Sequence, residues 1–219
     1  MILIWYEDKQ SPLYFAKRVG YKGKIFPMIK LRSMIINADK TGVDSTSIND
    51  NRITKTGRYI RKFKLDELSQ ILNVLIGQMS FVGPRPNVIN EIKLYTKLEK
   101  NLLLVKPGIT DFSSIVFSDE SQILKDFTDP DIAYNQLIRP GKSKLGLFYV
   151  KKNNLFIDIA LILITIISLF SRKLSLNLVV KLLEILNSDR ELIDLASRKK
   201  ELKPSAPPGS KIIITNRNT

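Results

Sequence analysis

Cysteine and histidine are both missing from the 219 residues. Their absence excludes disulfides, thiolate and imidazole zinc sites, and every nucleophile that depends on a Ser-His or Cys-His pair. Acid–base and nucleophilic chemistry is left to Asp, Glu, Lys, Tyr, Ser and Thr. A metal, if used, would be hard and oxygen-bound, with Mg2+ first. Long apolar runs are also lacking. The longest, "LFIDIALILITIISLF" at 155–170, has 16 residues with Asp158 near its start, short of the roughly 20 needed to cross a bilayer. It predicts a helix that is either buried or lying at a membrane surface. The apolar start "MILIWY" has no basic residue before it and runs into "EDKQ", so it does not read as a signal peptide. Acidic charge is scarce: 35 Lys and Arg face 21 Asp and Glu, a formal net charge of +14. Residues 1–64 alone carry 14 basic and 5 acidic side chains. That surplus implies an anionic partner, whether nucleic acid, an anionic leaflet or a phosphorylated substrate.

The length suits one domain, with or without extensions. Residues 13–35 mix β-favouring apolar residues with Gly20 and Gly23, which predicts two short strands joined by the turn "GYKG". Residues 37–51 are polar and turn-rich and predict a surface loop. Leu68, Ile71, Leu72, Leu75 and Ile76 follow the spacing of an amphipathic helix over 65–77, ended by Gly77. "GPRP" at 83–86 then forces an extended path. A second helix is expected over about 87–102, stopped by "KPG", and residues 155–198 read as helical throughout. The Pro- and Ser-rich end from 204 reads as a poorly ordered tail.

Within "RYIRKFKLDELSQ" two adjacent carboxylates, Asp66 and Glu67, follow a basic cluster. Acidic residues in a first helical turn are favoured by the dipole, so simple capping is one reading. The other is chemical. Phosphates also bind at helix N-termini, and Arg58, Arg61 and Lys62 lie just upstream, so carboxylates placed there suit metal coordination or nucleophilic attack. Arg85, held between Pro84 and Pro86, is either a solvated residue in a rigid turn or a guanidinium fork presented to a phosphate or carboxylate. Lys30 and Arg32 alternate along a predicted strand and share one face, which either grips a diphosphate or meets water. The series Arg52, Lys55, Arg58, Arg61 is a solvated face or a polyanion patch. Only Tyr59 and Phe63 interleave with it, so nucleic-acid binding is poorly supported.

Taken together, "RVGYKGKIFPMIKLRSM", "RITKTGRYIRKFKLDELSQILNVLIGQMSFVGPRP", "VKPGIT" and "NNLFIDIALILITI" resemble, in order, the bacterial sugar transferases of the monotopic phosphoglycosyl transferase family. The resemblance covers roughly residues 11–170. It implies an α+β fold, a mainly helical membrane-associated domain with a small N-terminal β-hairpin. By this resemblance residues 1–10 are the residual end of a membrane helix, 11–170 the sugar transferase domain, 171–203 C-terminal amphipathic helices and 204–219 a flexible tail. It further implies that Asp66 is the nucleophile and that Glu67 binds Mg2+. Lys30, Arg61 and Arg85, with Arg32 beside Lys30, would hold phosphate oxygens, and Pro86 would complete the rigid unit shaping the nucleotide pocket. The substrates would be a UDP-sugar and polyprenyl phosphate, met at the cytoplasmic face of the inner membrane, with no nucleic acid involved. The alternative is a catalytically impaired family remnant serving as a membrane-associated binding protein.

The chain departs from the family pattern at several places. Met1 falls where the family's re-entrant membrane helix ends, so that helix is expected to be missing here. Ser118 stands where a phosphate-contacting Arg is expected, and Asp111 follows "PGIT". Gly146 stands where an acidic residue is expected. Lys64 replaces the usual Ser or Thr cap before "LDEL".

Overall fold

The computed structural model describes residues 1–38, 46 and 50–216. Helix α1 (Ile2–Asp8) leads into an antiparallel hairpin, β1 (Leu13–Val19) and β2 (Ile25–Leu31), registered from Leu13 opposite Leu31 to Val19 opposite Ile25. The expected turn forms as a short 3-10 segment, Tyr21–Gly23, with Lys22 and Gly23 at φ 53° and 77°. Most of the surface loop expected over 37–51 lies outside the described residues.

Helix α2 (Lys55–Lys62) is capped twice at its start. The Thr54 hydroxyl accepts from Gly57 N, and the Glu7 carboxylate accepts from the backbone N–H groups of Lys55 and Thr56. These satisfy donors that have no partner within the helix. A Cβ on Gly57 would lie 2.0 Å from the Ser33 carbonyl oxygen, so glycine is what lets α2 seat on the end of the hairpin. Gly57→Ala, which would favour an exposed helix by about 1 kcal/mol, is expected here to destabilise by about 3 kcal/mol. A lowered urea midpoint checks this, and an unchanged midpoint would show that α2 shifts without cost.

The predicted 65–77 helix exists, as a 3-10 turn (Leu65–Gln70) running into α3 (Ile71–Leu75) and closed by Gly77 at φ 78°. Its orientation is the reverse of an ordinary amphipathic helix. Leu68, Ile71, Leu72, Leu75 and Ile76 are exposed, while Gln70 and Asn73 are buried. Polar side chains face the hairpin because they bind its backbone. Asn73 accepts from Ile29 N and donates to the Pro27 carbonyl, and Ser69 Oγ donates to the Ile29 carbonyl.

Strand β3 (Ser80–Val82) comes next, then the "GPRP" segment and α4 (Ile89–Lys93). The single helix expected over 87–102 is two pieces, α4 and a 3-10 segment, Glu99–Leu104. The break arises because Arg139 Nη2 takes the Leu94 carbonyl and the chain turns inward to bury Glu99. Strand β4 (Gly108–Thr110) pairs parallel with β3, Ser80 opposite Gly108 and Val82 opposite Thr110. A Cβ on Gly108 would lie 2.1 Å from Gly83 N, so this pairing, which joins "GPRP" to "KPGIT", needs bare backbone there.

The rest is helical: α5 (Phe112–Val116), α6 (Glu120–Ile123), α7 (Pro130–Ala133), a π-turn over Tyr134–Ile138, α8 (Arg139–Lys152), α9 (Leu155–Ser168), α10 (Arg172–Ile185) and α11 (Arg190–Ser197). Asp111, Asn154, Ser171 and Asp189 cap α5, α9, α10 and α11. The main core joins α5, α8, α9, α10 and α11 around Phe112, Leu145, Leu161 and Leu183. A smaller one lies under the hairpin, made by Ala16, Phe26, Met28 and Met79. The α+β class expected from the sequence holds. No helix among the described residues is long and apolar enough to cross a membrane. Residues 204–216 make hydrogen bonds with the body. Ser205 N donates to the Gln136 carbonyl, Thr96 Oγ1 to the Pro208 carbonyl and Gln136 Nε2 to the Ile214 carbonyl, and Ile214 is buried.

Candidate active site

A cleft of about 660 Å³ opens between the hairpin side and the helical body. From the N-terminal half of the chain it is lined by Lys30, Arg61, Lys64, Asp66, Glu67 and Arg85. From the helical half it is lined by Ser114, Ser118, Glu120, Lys142 and Thr165. The segment bearing Asp66 and Glu67 is laid along β2 by Ser69 and Asn73, which brings both carboxylates beside Lys30. Residues 69 and 73 were not read from the sequence as part of the site. Their signal was available as polar residues four apart, opposite the apolar stripe.

Arg85 Nη2 donates to Glu67 Oε1 at 2.5 Å. Burial works against the Glu67 carboxylate. The Arg85 charge and hydrogen bond, with Lys30 and Lys64 behind them, outweigh it and hold the pKa at about 2. Glu67 is therefore an anion throughout the neutral range. The reciprocal attraction raises the Arg85 pKa further. Asp66 differs: among the described residues no hydrogen bond or ion pair engages its carboxylate, although it lies in the same cationic surroundings. An unpaired carboxylate among cations is available to a ligand, whereas Glu67 Oε1 is already taken.

Burial, followed by the Arg85 charge, lowers the Lys30 pKa to about 8, with Asp66 and Glu67 opposing. Lys64 is lowered by burial as well. Lys30 thus loses its charge as pH rises through about 8, which the unfolded chain does only near 10.5. Two consequences have opposite sign. The attraction this residue offers an anion falls above pH 8, whereas fold stability gains between 8 and 10.5, where only the unfolded chain keeps the proton. The affinity for inorganic pyrophosphate is expected to fall above about pH 8 and to lose that limb in Lys30→Arg. A profile flat to pH 9.5 would separate Lys30 from phosphate binding.

The remaining expected residues divide. Arg61 turns into the cleft while Lys55 and Arg58 are exposed, and Arg52 pairs with Asp50. Arg32 is on the cleft wall, but Asp8 takes both Nη atoms at 2.6 and 2.7 Å and the Ser11 carbonyl takes Nε at 2.7 Å. It ties α1 to the hairpin instead of presenting a free fork. Pro86 is buried and lines a small crevice with Val19, Tyr95 and Leu102, not the main cleft. Ser118 lines the cleft. Gly146 does not: a Cβ there would sit 2.8 Å from Leu102 Cδ2 and 3.8 Å from Pro84, so a larger residue would have to displace the Leu102 side chain. Asp111 accepts from Ser114 N and from the hydroxyls of Ser113 and Ser114, which makes it a helix cap. Lys64 adopts φ 52° and makes no side-chain cap.

Among the described residues no three acidic side chains gather to form a metal cage. Mg2+ bound through one carboxylate, water and substrate phosphates needs no such cage. Glu67 Oε2 has no hydrogen bond among the described residues, so the donor set fits that mode.

The fold and the cleft define a class: a helical α+β protein whose cationic cleft, with one unpaired carboxylate, suits a phosphate-bearing ligand. More narrowly, the chain belongs to the bacterial sugar transferase family, whose sequence model matches residues 1–172. It is 35% identical over 157 residues to the uncharacterized sugar transferase EpsL of Bacillus subtilis, covering 71% of this chain and 69% of that protein. It is 41% identical over 128 residues to undecaprenyl-phosphate galactose phosphotransferase of Salmonella typhimurium, covering 50% of this chain and 27% of the relative. It is 34% identical over 169 residues to UDP-glucose:undecaprenyl-phosphate glucose-1-phosphate transferase of Xanthomonas campestris pv. campestris, covering 74% and 32%. The chain therefore spans about a third or less of the length of the latter two. The family resemblance carried by "LDEL", "GPRP" and "PGIT" is borne out.

Proposed function

We propose that this chain transfers a phosphosugar from a UDP-sugar to polyprenyl phosphate, the initiating step of exopolysaccharide, capsule or O-antigen synthesis. The observation that carries the reading is the unpaired Asp66 carboxylate in a cleft lined by Lys30, Arg61, Lys64 and Arg85. In the first displacement an Asp66 oxygen attacks the sugar-bearing phosphorus, the bond from that phosphorus to the bridging oxygen breaks, and UMP leaves. The product is an acyl phosphate, a mixed anhydride joining the Asp66 carboxyl to the phosphosugar. In the second, a polyprenyl phosphate oxygen attacks the same phosphorus, the aspartyl bond breaks, and polyprenyl diphosphate sugar departs with Asp66 restored. Neither step needs a proton transfer, which accords with the absence of histidine. This is carboxylate covalent catalysis with ping-pong kinetics.

Lys30, Arg61 and Arg85 hold phosphate oxygens, and Glu67 keeps Arg85 aimed across the cleft. Mg2+ would be held by Glu67 and would supply charge neutralisation for the substrate phosphates. Pro84 and Pro86 stiffen the backbone that carries Arg85, and Arg32 steadies the hairpin.

The acceptor is a lipid, so the cleft must meet a bilayer surface. The outward stripe of Leu68, Leu72, Leu75 and Ile76 adjoins the Asp66 turn. A second exposed apolar row runs along α9 and just past it, through Phe156, Ile159, Leu163, Ile166 and Phe170. Apolar rows on a basic body suit peripheral or monotopic attachment at the cytoplasmic face of the inner membrane. The test is UMP release from a panel of UDP-sugars by the chain in nanodiscs containing polyprenyl phosphate, with Mg2+ and with EDTA. Mg2+-dependent release that requires polyprenyl phosphate for sustained turnover supports the reading. No release from any sugar nucleotide favours a non-catalytic binding protein.

A further inference from the structure

Among the described residues three carboxylates line the cleft: Asp66, Glu67 and Glu120. The first two have roles in the function proposed above. Glu120, at the start of α6, lines the cleft and forms an ion pair with Lys142 of α8. Lys142 also stands 5.2 Å over the Tyr134 ring. Both are partly buried, with 30% and 17% of their side chains exposed.

The pair belongs to the same electrostatic unit as the catalytic wall. Glu120 is close enough to favour the charge on Arg85, and Lys142 close enough to disfavour that on Lys64. Its backbone is well held. Asp119, next in the chain, receives Arg172 at 2.9 Å and Arg198 at 3.1 Å, and Arg198 lies over the Phe117 ring. Two arginines from the C-terminal helices thereby clamp the wall that presents Glu120.

A carboxylate in a cleft built for a diphosphate faces a restriction. It only accepts hydrogen bonds, and an ionised diphosphate has none to give, so Glu120 repels the phosphates. The donors it suits are neutral hydroxyl or amide groups. Ser118 and Ser121 flank it on the cleft wall and can either donate or accept. Lys142 lowers the repulsion that Glu120 exerts on the diphosphate and holds its carboxylate in one orientation.

The geometry points to Glu120, oriented by Lys142, as the residue that reads the sugar of the sugar nucleotide, with the ring lying beside Ser118 and Ser121 and the diphosphate beside Lys30 and Arg85. This rests on the transfer function proposed above and assigns its sugar-specificity site. The competing explanation is an ion pair that only braces α6 against α8, which would leave sugar choice unaffected.

The test measures kcat and KM for UDP-glucose, UDP-galactose, UDP-N-acetylglucosamine and UDP-N-acetylgalactosamine, together with inhibition by UDP, which lacks the sugar. Wild type, Glu120→Gln and Lys142→Met are compared in nanodiscs with polyprenyl phosphate. Losing a hydrogen bond to a charged acceptor is expected to raise KM for the preferred sugar about tenfold in Glu120→Gln. The ranking among the four should flatten, with UDP inhibition unchanged or strengthened. Lys142→Met is expected to blur the ranking in the same direction. A preserved ranking in both variants, or a loss of UDP affinity equal to the loss for the sugar nucleotides, overturns the assignment. Wild type that turns over none of the four sinks the transfer function itself, so the two failures are distinguishable.

Discussion

Asp66→Asn is expected to reduce phosphosugar transfer by about a thousandfold or more, the scale on which removing an enzyme's nucleophile acts. Asparagine keeps the shape of the side chain but removes the carboxylate oxygen that the proposed mechanism uses to attack phosphorus. Because Asp66 has no hydrogen-bond or ion-pair partner among the described residues, no native contact is lost and the melting temperature should hardly change. UDP-sugar binding should hold or tighten, since a negative charge is taken away from the path of a diphosphate. A collapse in kcat with unchanged or lower KM is therefore the signature. Intact-protein mass spectrometry gives a second readout. Wild type given UDP-sugar without acceptor should gain the mass of one phosphosugar, and Asp66→Asn should gain none. Retention of turnover within tenfold would remove Asp66 from the chemistry.

Breaking the Glu99–Arg139 pair should have the largest effect on the fold. Neither side chain is more than 1% exposed, and Arg139 donates to Glu99 through Nε at 3.0 Å and Nη2 at 2.5 Å. Asn135 Oδ1 and the Leu94 carbonyl take further Arg139 donors. Ser143 Oγ and Thr96 N donate to Glu99, and the guanidinium lies over the Tyr95 ring. Arg139→Met leaves an uncompensated buried carboxylate and is expected to cost about 3–5 kcal/mol, read as a lower urea midpoint. The double variant Glu99→Leu with Arg139→Met removes both charges and should recover much of that loss, because the pair in the native protein also bears the cost of desolvating two ions. If the double variant is no more stable than the single one, the network contributes more than charge balance.

Much of the site was legible because its parts are local in sequence. "LDEL" places two carboxylates in one turn, and prolines on both sides of Arg85 constrain its backbone whatever surrounds it. The hairpin was legible for the same reason, since alternation and a glycine-bearing turn are short-range signals. The 87–102 segment reads locally as one helix, but Arg139 and the burial of Glu99 break it from 40 residues away, which no local pattern records. The apolar stripe of 68–76 was found, but not its direction. That direction is set by Asn73 and Ser69 bonding to the β2 backbone, a long-range choice that puts polar atoms inward.

The sequence by itself determined the chemistry available: no histidine or cysteine, an acidic pair after a basic cluster, and a positive surplus suited to phosphate. Only the tertiary structure decided which of these groups meet. It left Asp66 unpaired and gave Arg85 to Glu67, gave Arg32 to Asp8, turned Pro86 away from the cleft, and brought Glu120 and Lys142 to the same cleft. The reason is physical: a side chain's type follows from its own residue, but its charge, exposure and partners depend on neighbours that packing alone supplies.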